Sequence, residues 1–84
     1  MTAAFVVGER VSEMFRRGLH VTEIDVDIPL LDYGLDSVRS AELVIELERT
    51  FGVEITDVEA AELHTARDVI DCVTTKMGHT GVGA

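Results

Sequence analysis

Apolar residues recur every three or four positions in three long stretches of the chain, and this spacing predicts helices with one buried face. The first helix is predicted over about residues 3–17, with Gly18 as a stop signal. The second is predicted over about residues 37–51, followed by Gly52 as a C-cap. The last is predicted over about residues 66–77. The inward-facing side chains expected from this spacing are Val7, Val11, Met14, Phe15, Leu43, Leu47, Phe51, Ala66, Val69, Ile70, Val73 and Met77.

Residues 20–36 predict a long ordered loop, in which Pro29 and Gly34 would interrupt a helix. Apolar and acidic residues alternate at its start as in a strand, but no second strand is available for pairing. We therefore expect an extended loop, which in a small domain usually serves function. Its expected apolar anchors are Ile28, Leu30, Leu31 and Leu35.

Shorter signals complete the helical pattern. A short third helix is expected over about residues 57–63, and Thr65-Ala66-Arg67-Asp68 resembles a capping box with Asp in place of Glu. Residues 78–84 contain three glycines and predict a disordered tail. The expected organisation is one domain over residues 1–77 and a tail over residues 78–84. The expected fold class is all-α, a four-helix bundle with a long first loop and a short third helix.

The net charge of −9 is unevenly distributed along the 84 residues. Residues 23–71 hold fourteen acidic side chains and three arginines, whereas residues 1–22 carry a net charge of +1. Such an acidic surface repels nucleic acid and anionic membranes and favours partner proteins with basic patches. Acidity that only keeps a small domain soluble is the other explanation.

The single cysteine, Cys72, cannot form a disulfide within the chain, which indicates a reducing compartment and a cytoplasmic protein. No apolar run approaches the roughly 18 residues that span a bilayer, and we expect no membrane partner. A chain this short builds a thin core, with little room for an enclosed active site. We expect a monomer.

The predicted second helix carries a second apolar stripe opposite its core face. Val38, Ala41 and Ile45 form this stripe, and acidic residues such as Glu42 and Glu48 lie between them. Apolar residues rimmed by acids indicate a docking surface for a partner. A helix buried on two sides of a tight bundle would give the same pattern, so the sequence leaves both interpretations open.

Ser37 is the strongest candidate for chemistry, in the segment Gly34-Leu35-Asp36-Ser37-Val38. It lies where an acidic loop meets the second helix. A serine at this position can cap the helix with its side-chain oxygen. It can also face solvent as an attachment point.

This segment resembles the prosthetic-group motif of acyl carrier proteins. The resemblance extends from Val7 to Met77 and includes the run Glu-Leu-Val-Ile-Glu-Leu-Glu, the segment Phe51-Gly52-Val53-Glu54-Ile55 and the last helix that begins at Thr65. It implies the fold of that family, a carrier without catalytic activity, and a 4'-phosphopantetheine arm on Ser37. Asp36 would support attachment by helping a phosphopantetheinyl transferase to orient its substrate and Mg²⁺.

The resemblance also implies that the second helix is the recognition helix. Its expected partners are the phosphopantetheinyl transferase and acyltransferases, ligases or synthases with basic docking patches. The partner-binding positions expected on this basis are Val38, Arg39, Ala41, Glu42, Ile45 and Glu48.

Two departures bear on the pathway. Arg39 stands where fatty-acid carriers often have an acid, and the first loop is somewhat short. The segment Leu35-Asp36-Ser37-Val38 is more similar to carriers of polyketide or mixed polyketide–peptide biosynthesis, while the Gly-Gly-[His/Asp]-Ser start of peptidyl carriers is absent. We expect a discrete carrier. The alternatives are a fatty-acid carrier and an acidic helical adaptor without a prosthetic group.

Other constellations give weaker signals. The histidines have no metal-ligand spacing, and Asp25-x-Asp27-x-Pro29 lacks the remaining ligands of a calcium loop. No Gly-x-Ser-x-Gly elbow accompanies Ser37, which argues against a small serine hydrolase. We therefore expect no metal site and no catalytic residue.

Overall fold

The computed structural model describes the backbone of residues 3–82 and the side chains of residues 5–78, and this part of the chain is helical without a strand. The long helices are α1 (Ala3–Leu19), α2 (Ser37–Phe51) and α4 (Ala66–Val82), and the short helix α3 spans Asp57–Ala61. A 3-10 helix, Leu30–Tyr33, lies in the loop between α1 and α2. The predicted all-α fold class is thereby confirmed.

The core forms where α1 packs against α4 and α2. The predicted face of α1 is buried throughout, and Leu47 of α2 is only 2% exposed. Phe51, Ile70 and Met77, expected to face inward, are only partly buried against this core. The fully buried set is Val7, Val11, Met14, Phe15, Leu19, Leu30, Leu43, Leu47, Ile55, Ala66, Val69 and Val73.

The predicted stop of the first helix at Gly18 is wrong, because α1 continues to Leu19. His20 takes the left-handed conformation that ends the helix, with φ of 57°. Gly18 has a packing role instead. A Cβ atom at this position would lie 3.2 Å from Cδ2 of Leu43, so the glycine lets α1 approach α2 closely.

The long loop is fastened to the start of α4. The backbone N–H of Leu30 donates to the carbonyl of His64 at 2.8 Å, and that of Arg67 donates to the carbonyl of Val26 at 3.0 Å. The Arg67 guanidinium also binds both carboxylate oxygens of Asp27, at 2.6 and 3.1 Å. These contacts give the residues before α2 a fixed path.

Only part of the predicted anchoring of this loop is correct. Leu30 is buried and Leu35 is half-buried, but Ile28 is 37% and Leu31 is 77% exposed. Leu30 and Leu31 are adjacent on a 3-10 turn, so they point in different directions and only one of them reaches the core.

The ends of the later helices follow their local signals. Gly52 caps α2 with φ of 65°, and Thr56 and Glu59 form a capping box around the start of α3. The predicted capping box of α4 is confirmed, since the Asp68 amide donates to the Thr65 hydroxyl and Asp68 Oδ2 accepts from the Thr65 amide, both at 3.1 Å.

Two helix ends differ from the prediction. Helix α3 ends at Ala61, two residues before the expected end, and α4 continues to Val82 rather than ending near Met77. The division into a domain over residues 1–77 and a tail over residues 78–84 stays a prediction. Residues 83–84 of that tail lie outside the described residues.

Candidate functional site around Ser37

Ser37 is the first residue of α2, and its side chain is exposed. The N-cap is Asp36, whose Oδ1 accepts a hydrogen bond from the Arg39 amide at 2.8 Å. Capping by Ser37, one of the two roles considered from sequence, is therefore not what the structure shows. Within residues 5–78, no hydrogen bond engages the Ser37 hydroxyl. The hydroxyl faces solvent, as the other role would require.

The surroundings of Ser37 suit an anion. The first backbone hydrogen bond of α2 is donated by the Ser40 amide to the Asp36 carbonyl at 2.9 Å. The N–H groups of Ser37 and Val38 come before it, so they have no acceptor within the helix. They lie at the positive end of a 15-residue helix. A phosphate ester on the Ser37 oxygen would meet backbone donors there, so the residues present fit a phosphate-linked group.

Two open grooves meet at Ser37 and Ser40. The loop groove has a volume of about 540 Å³ and is lined by Pro29, Leu30, Leu31, Leu35, Asp36, Ser37, Ser40, Leu63 and His64. The α3 groove has a volume of about 490 Å³ and is lined by Ser37, Ser40, Ala41, Val44, Ile45, Glu48, Ile55, Asp57 and Ala60. A flexible group attached at Ser37 therefore has a solvent-open path on either side of α2.

The second apolar stripe of α2 faces solvent. Val38 is 68% and Ile45 is 51% exposed, and Ala41 and Glu42 are exposed between them. Burial of this helix on two sides, the alternative left open by the sequence, is wrong. An apolar strip with an acidic neighbour thus begins directly beside Ser37.

Arg39 and Glu48, two of the expected partner-binding residues, contact other parts of the bundle, although Glu48 also lines the α3 groove. Both are half-buried. The Arg39 guanidinium donates to the carbonyl of Gly18 near the end of α1. Glu48 Oε2 accepts from the Ile55 amide at 2.9 Å. Both side chains are engaged in contacts that hold the bundle together.

The sequence missed several residues of the site. Leu31 and His64 line the loop groove, and Ser40 lines both grooves. The pair Leu30-Leu31 is the one signal in the sequence, since a turn cannot bury both side chains. His64 carried no signal, because its place depends on the fastening of the loop to α4.

Within the part of the chain that the structure describes, no group of three or more His, Cys, Asp and Glu could hold a metal ion. No helix in that part is long and apolar enough to cross a membrane.

Comparisons with known proteins agree with this geometry. A family model described as the phosphopantetheine attachment site matches residues 9–73. The chain is 33% identical to an acyl carrier protein of Solidesulfovibrio magneticus over 75 residues, covering 86% of this chain and 96% of that protein. It is 48% identical to an acyl carrier protein of Thermosynechococcus vestitus over 46 residues, covering 55% of this chain and 57% of that protein.

A solved structure supports the fold independently. The crystal structure of an acyl carrier protein from Thermotoga maritima matches with a TM-score of 0.79, covering 92% of this chain and 93% of that chain. The sequence identity is 22%. At this identity the likeness concerns the path of the backbone.

Proposed function

The chain belongs to the acyl carrier protein family, and from that premise we propose that Ser37 is the residue that bears its 4'-phosphopantetheine group. One observation carries the proposal. Asp36 caps α2, which leaves the Ser37 hydroxyl exposed at the positive end of the helix, with no hydrogen bond to any side chain or backbone group that the structure describes. The group supplies a terminal thiol that holds an acyl cargo as a thioester. The chain is a carrier, and its partners perform the chemistry.

The residues around Ser37 present the site and catalyse nothing. Asp36 fixes the first turn of α2, so the backbone that carries the serine is held in one place when a transferase approaches. Val38, Ala41, Ile45 and Glu42 form the exposed face next to it and are the proposed docking surface. The proposed partners are the phosphopantetheinyl transferase and acyltransferases, ligases or synthases with basic patches. We place the protein in the cytoplasm as a monomer.

Intact mass spectrometry tests the attachment site. Wild type incubated with coenzyme A, Mg²⁺ and a phosphopantetheinyl transferase should gain the mass of one phosphopantetheinyl group, and Ser37→Ala should gain none. Ser40→Ala is the matched control, because Ser40 borders the same grooves and should not affect modification. An unmodified wild type, under conditions that convert a known carrier, would refute the proposal.

The pathway proposed for this carrier is specialised biosynthesis of the polyketide or mixed polyketide–peptide type. This proposal is supported by the segment Leu35-Asp36-Ser37-Val38 and by the presence of Arg39 two residues after the serine. Housekeeping fatty-acid synthesis is the alternative. A malonyltransferase of fatty-acid synthesis should load this holo-chain markedly more slowly than it loads a fatty-acid carrier. Equal rates would favour the alternative.

A further inference from the structure

Leu31 is the most exposed large apolar side chain in the part of the chain that the structure describes. It belongs to the 3-10 helix and lines the loop groove, as Ser37 does. Single exposed apolar residues are common on protein surfaces. Here, however, the exposed side chain borders a groove whose other apolar lining residues are Pro29, Leu30, Leu35 and Leu63. The apolar surface beside Ser37 is therefore larger than one side chain.

The backbone of Leu31 is held in place within the loop. Its carbonyl accepts a hydrogen bond from the Gly34 amide at 3.0 Å. The preceding residue, Leu30, is buried in the core, and its amide donates to the carbonyl of His64 at 2.8 Å. Because this turn is already ordered, a partner that binds Leu31 loses little free energy in ordering it.

The size of a protein interface makes the loop side of Ser37 relevant to docking. A transferase that modifies Ser37 has to place its active site over this residue, so the serine lies inside the interface and not at its edge. A stable interface covers about 800 Å² of each partner. The proposed docking surface runs along α2 away from Ser37, whereas the loop groove lies on the loop side of the serine. An interface centred on Ser37 therefore extends over both.

We propose that the loop groove, with Leu31, is a second docking contact that the phosphopantetheinyl transferase fills with an apolar side chain. The inference rests on the proposed function and extends recognition from α2 to the loop. Asp32 and Asp36 are exposed beside this apolar surface, so Arg or Lys of the enzyme should flank the side chain that enters the groove. Enzymes that act on the end of the flexible arm do not have to cover Ser37. Leu31 thus distinguishes the transferase from the partners that use the terminal thiol.

Steady-state kinetics of the transferase test this contact. Leu31→Ala should lower kcat/KM by about fivefold or more. The loss should come from a higher KM with little change in kcat, because Leu31 binds the enzyme without touching the reacting atoms. Leu31→Met keeps an apolar side chain of similar volume and should retain most of the wild-type kcat/KM. Leu31→Gln should behave like Leu31→Ala. Equal Tm values for the variants, expected at an exposed position, would show that the fold is intact.

Val58→Ala is the matched control, because Val58 is almost as exposed as Leu31 but does not line the loop groove. Its kinetics should equal those of wild type. Wild-type kcat/KM for Leu31→Ala, or for Leu31→Gln alone, would overturn the proposal, since the contact would be absent or not apolar. A loss in Leu31→Ala that disappears at high salt would also overturn it, because salt screens charges and not apolar contacts.

Loading of the finished arm tests the distinction between partners. Prolonged incubation with the transferase should convert Leu31→Ala fully to its holo-form. The malonyltransferase of fatty-acid synthesis should then load holo-Leu31→Ala and holo-wild type with the same KM. Slower loading of the variant would overturn the distinction, because Leu31 would then serve partners in general.

Binding measured without modification separates this inference from the proposed function. Transferase added without coenzyme A should shift or broaden the methyl NMR signals of Leu31 and Leu35 and leave those of Val58 unchanged. Unperturbed Leu31 and Leu35 signals in the bound chain would overturn the loop contact, even with Ser37 modified normally. Failure to modify Ser37 in wild type would instead count against the proposed function, whatever these signals show.

Discussion

At the start of α2, two neighbouring residues have different tasks. Asp36 satisfies the helix end through its bond to the Arg39 amide, and Ser37 keeps its oxygen exposed. A serine in the N-cap position would have turned that oxygen toward the backbone. The order Asp-Ser, rather than Ser alone, is therefore what makes the hydroxyl accessible.

Arg39 connects this helix start to α1. Its guanidinium reaches the carbonyl of Gly18, one of the last carbonyls of α1 and so without a partner inside that helix. Since the side chain is half-buried, we interpret Arg39 as a residue that fixes the angle between α1 and α2, the helix that carries Ser37.

Arg39→Met should lower the free energy of unfolding by about 1–3 kcal/mol, because it leaves the Gly18 carbonyl without its charged donor. Arg49→Met, an exposed substitution on the same helix, should change it by less than about 0.5 kcal/mol. Urea denaturation monitored by circular dichroism measures both. Unchanged stability combined with slower loading by a partner would make Arg39 a docking residue instead.

The roles of Arg39 and Glu48 mark the limit of what the sequence could predict. The periodic spacing of Leu43 and Leu47 was enough to predict the buried face of α2, and the Asp36-Ser37 pair identified the candidate site. The bond from Arg39 to α1 depends on how two helices cross, and the bond from Glu48 to Ile55 depends on the turn at Gly52. Such contacts have no local sequence signal.

At the scale of elements, α3 depends on fastening from its neighbours. A helix of five residues is too short to be stable alone. The ion pair with Lys76, followed by the hydrogen bond from the Thr56 amide, lowers the pKa of Glu59 from its ordinary 4.5 to about 2. The carboxylate is therefore ionised in the folded protein over a wider pH range than in the unfolded chain.

The contribution of Glu59 to stability should disappear in acid. Because its pKa is lower in the folded state, the contribution is complete above about pH 4.5 and is lost as the pH falls toward about 2. The Tm difference between wild type and Glu59→Gln should shrink over this window, and Lys76→Met should behave like Glu59→Gln. The hydrogen bond from Arg67 lowers the pKa of Asp27, so the Tm of both variants should still depend on pH to some extent. A constant Tm difference from pH 6 to pH 2 would contradict this account.

At the scale of the whole molecule, charge is segregated. The first helix is close to neutral, while the acidic side chains are concentrated in the part of the chain that contains Ser37. Arg17 and Glu46 pair across α1 and α2 at 3.8 Å, but both are well exposed, so the pair adds little stability. We propose that the excess of acid near Ser37 attracts partners with basic patches.

Docking should depend more on apolar contact than on any one of these charges, since the centre of an interface carries most of its binding energy. Val38→Ala or Ile45→Ala should lower the kcat/KM of the phosphopantetheinyl transferase by about fivefold or more, which corresponds to ~1 kcal/mol. Glu42→Gln should have a smaller effect that salt removes, because a rim charge mainly steers the encounter.

Val58→Ala is the matched control for docking, because Val58 is as exposed as Val38 but belongs to α3. We expect its transferase kinetics to equal those of wild type. An effect as large as that of Ile45→Ala would show that the docking surface is not confined to α2. Wild-type rates for all these variants would indicate that the acidic side chains only keep the domain soluble.

The fastening of the first loop to α4 also has a consequence for the order of assembly during synthesis. Asp27 and Arg67, which pair across this contact, are 40 residues apart in the chain. A ribosome therefore completes the segment that leads into Ser37 well before it makes the residues that hold that segment, at a pace of about 5–20 residues per second. The loop between Asp27 and Arg67 can close only after the start of α4 has been synthesised. The segment before Ser37 thus acquires its support only after the start of α4 has been made, and we expect modification of the serine to follow folding.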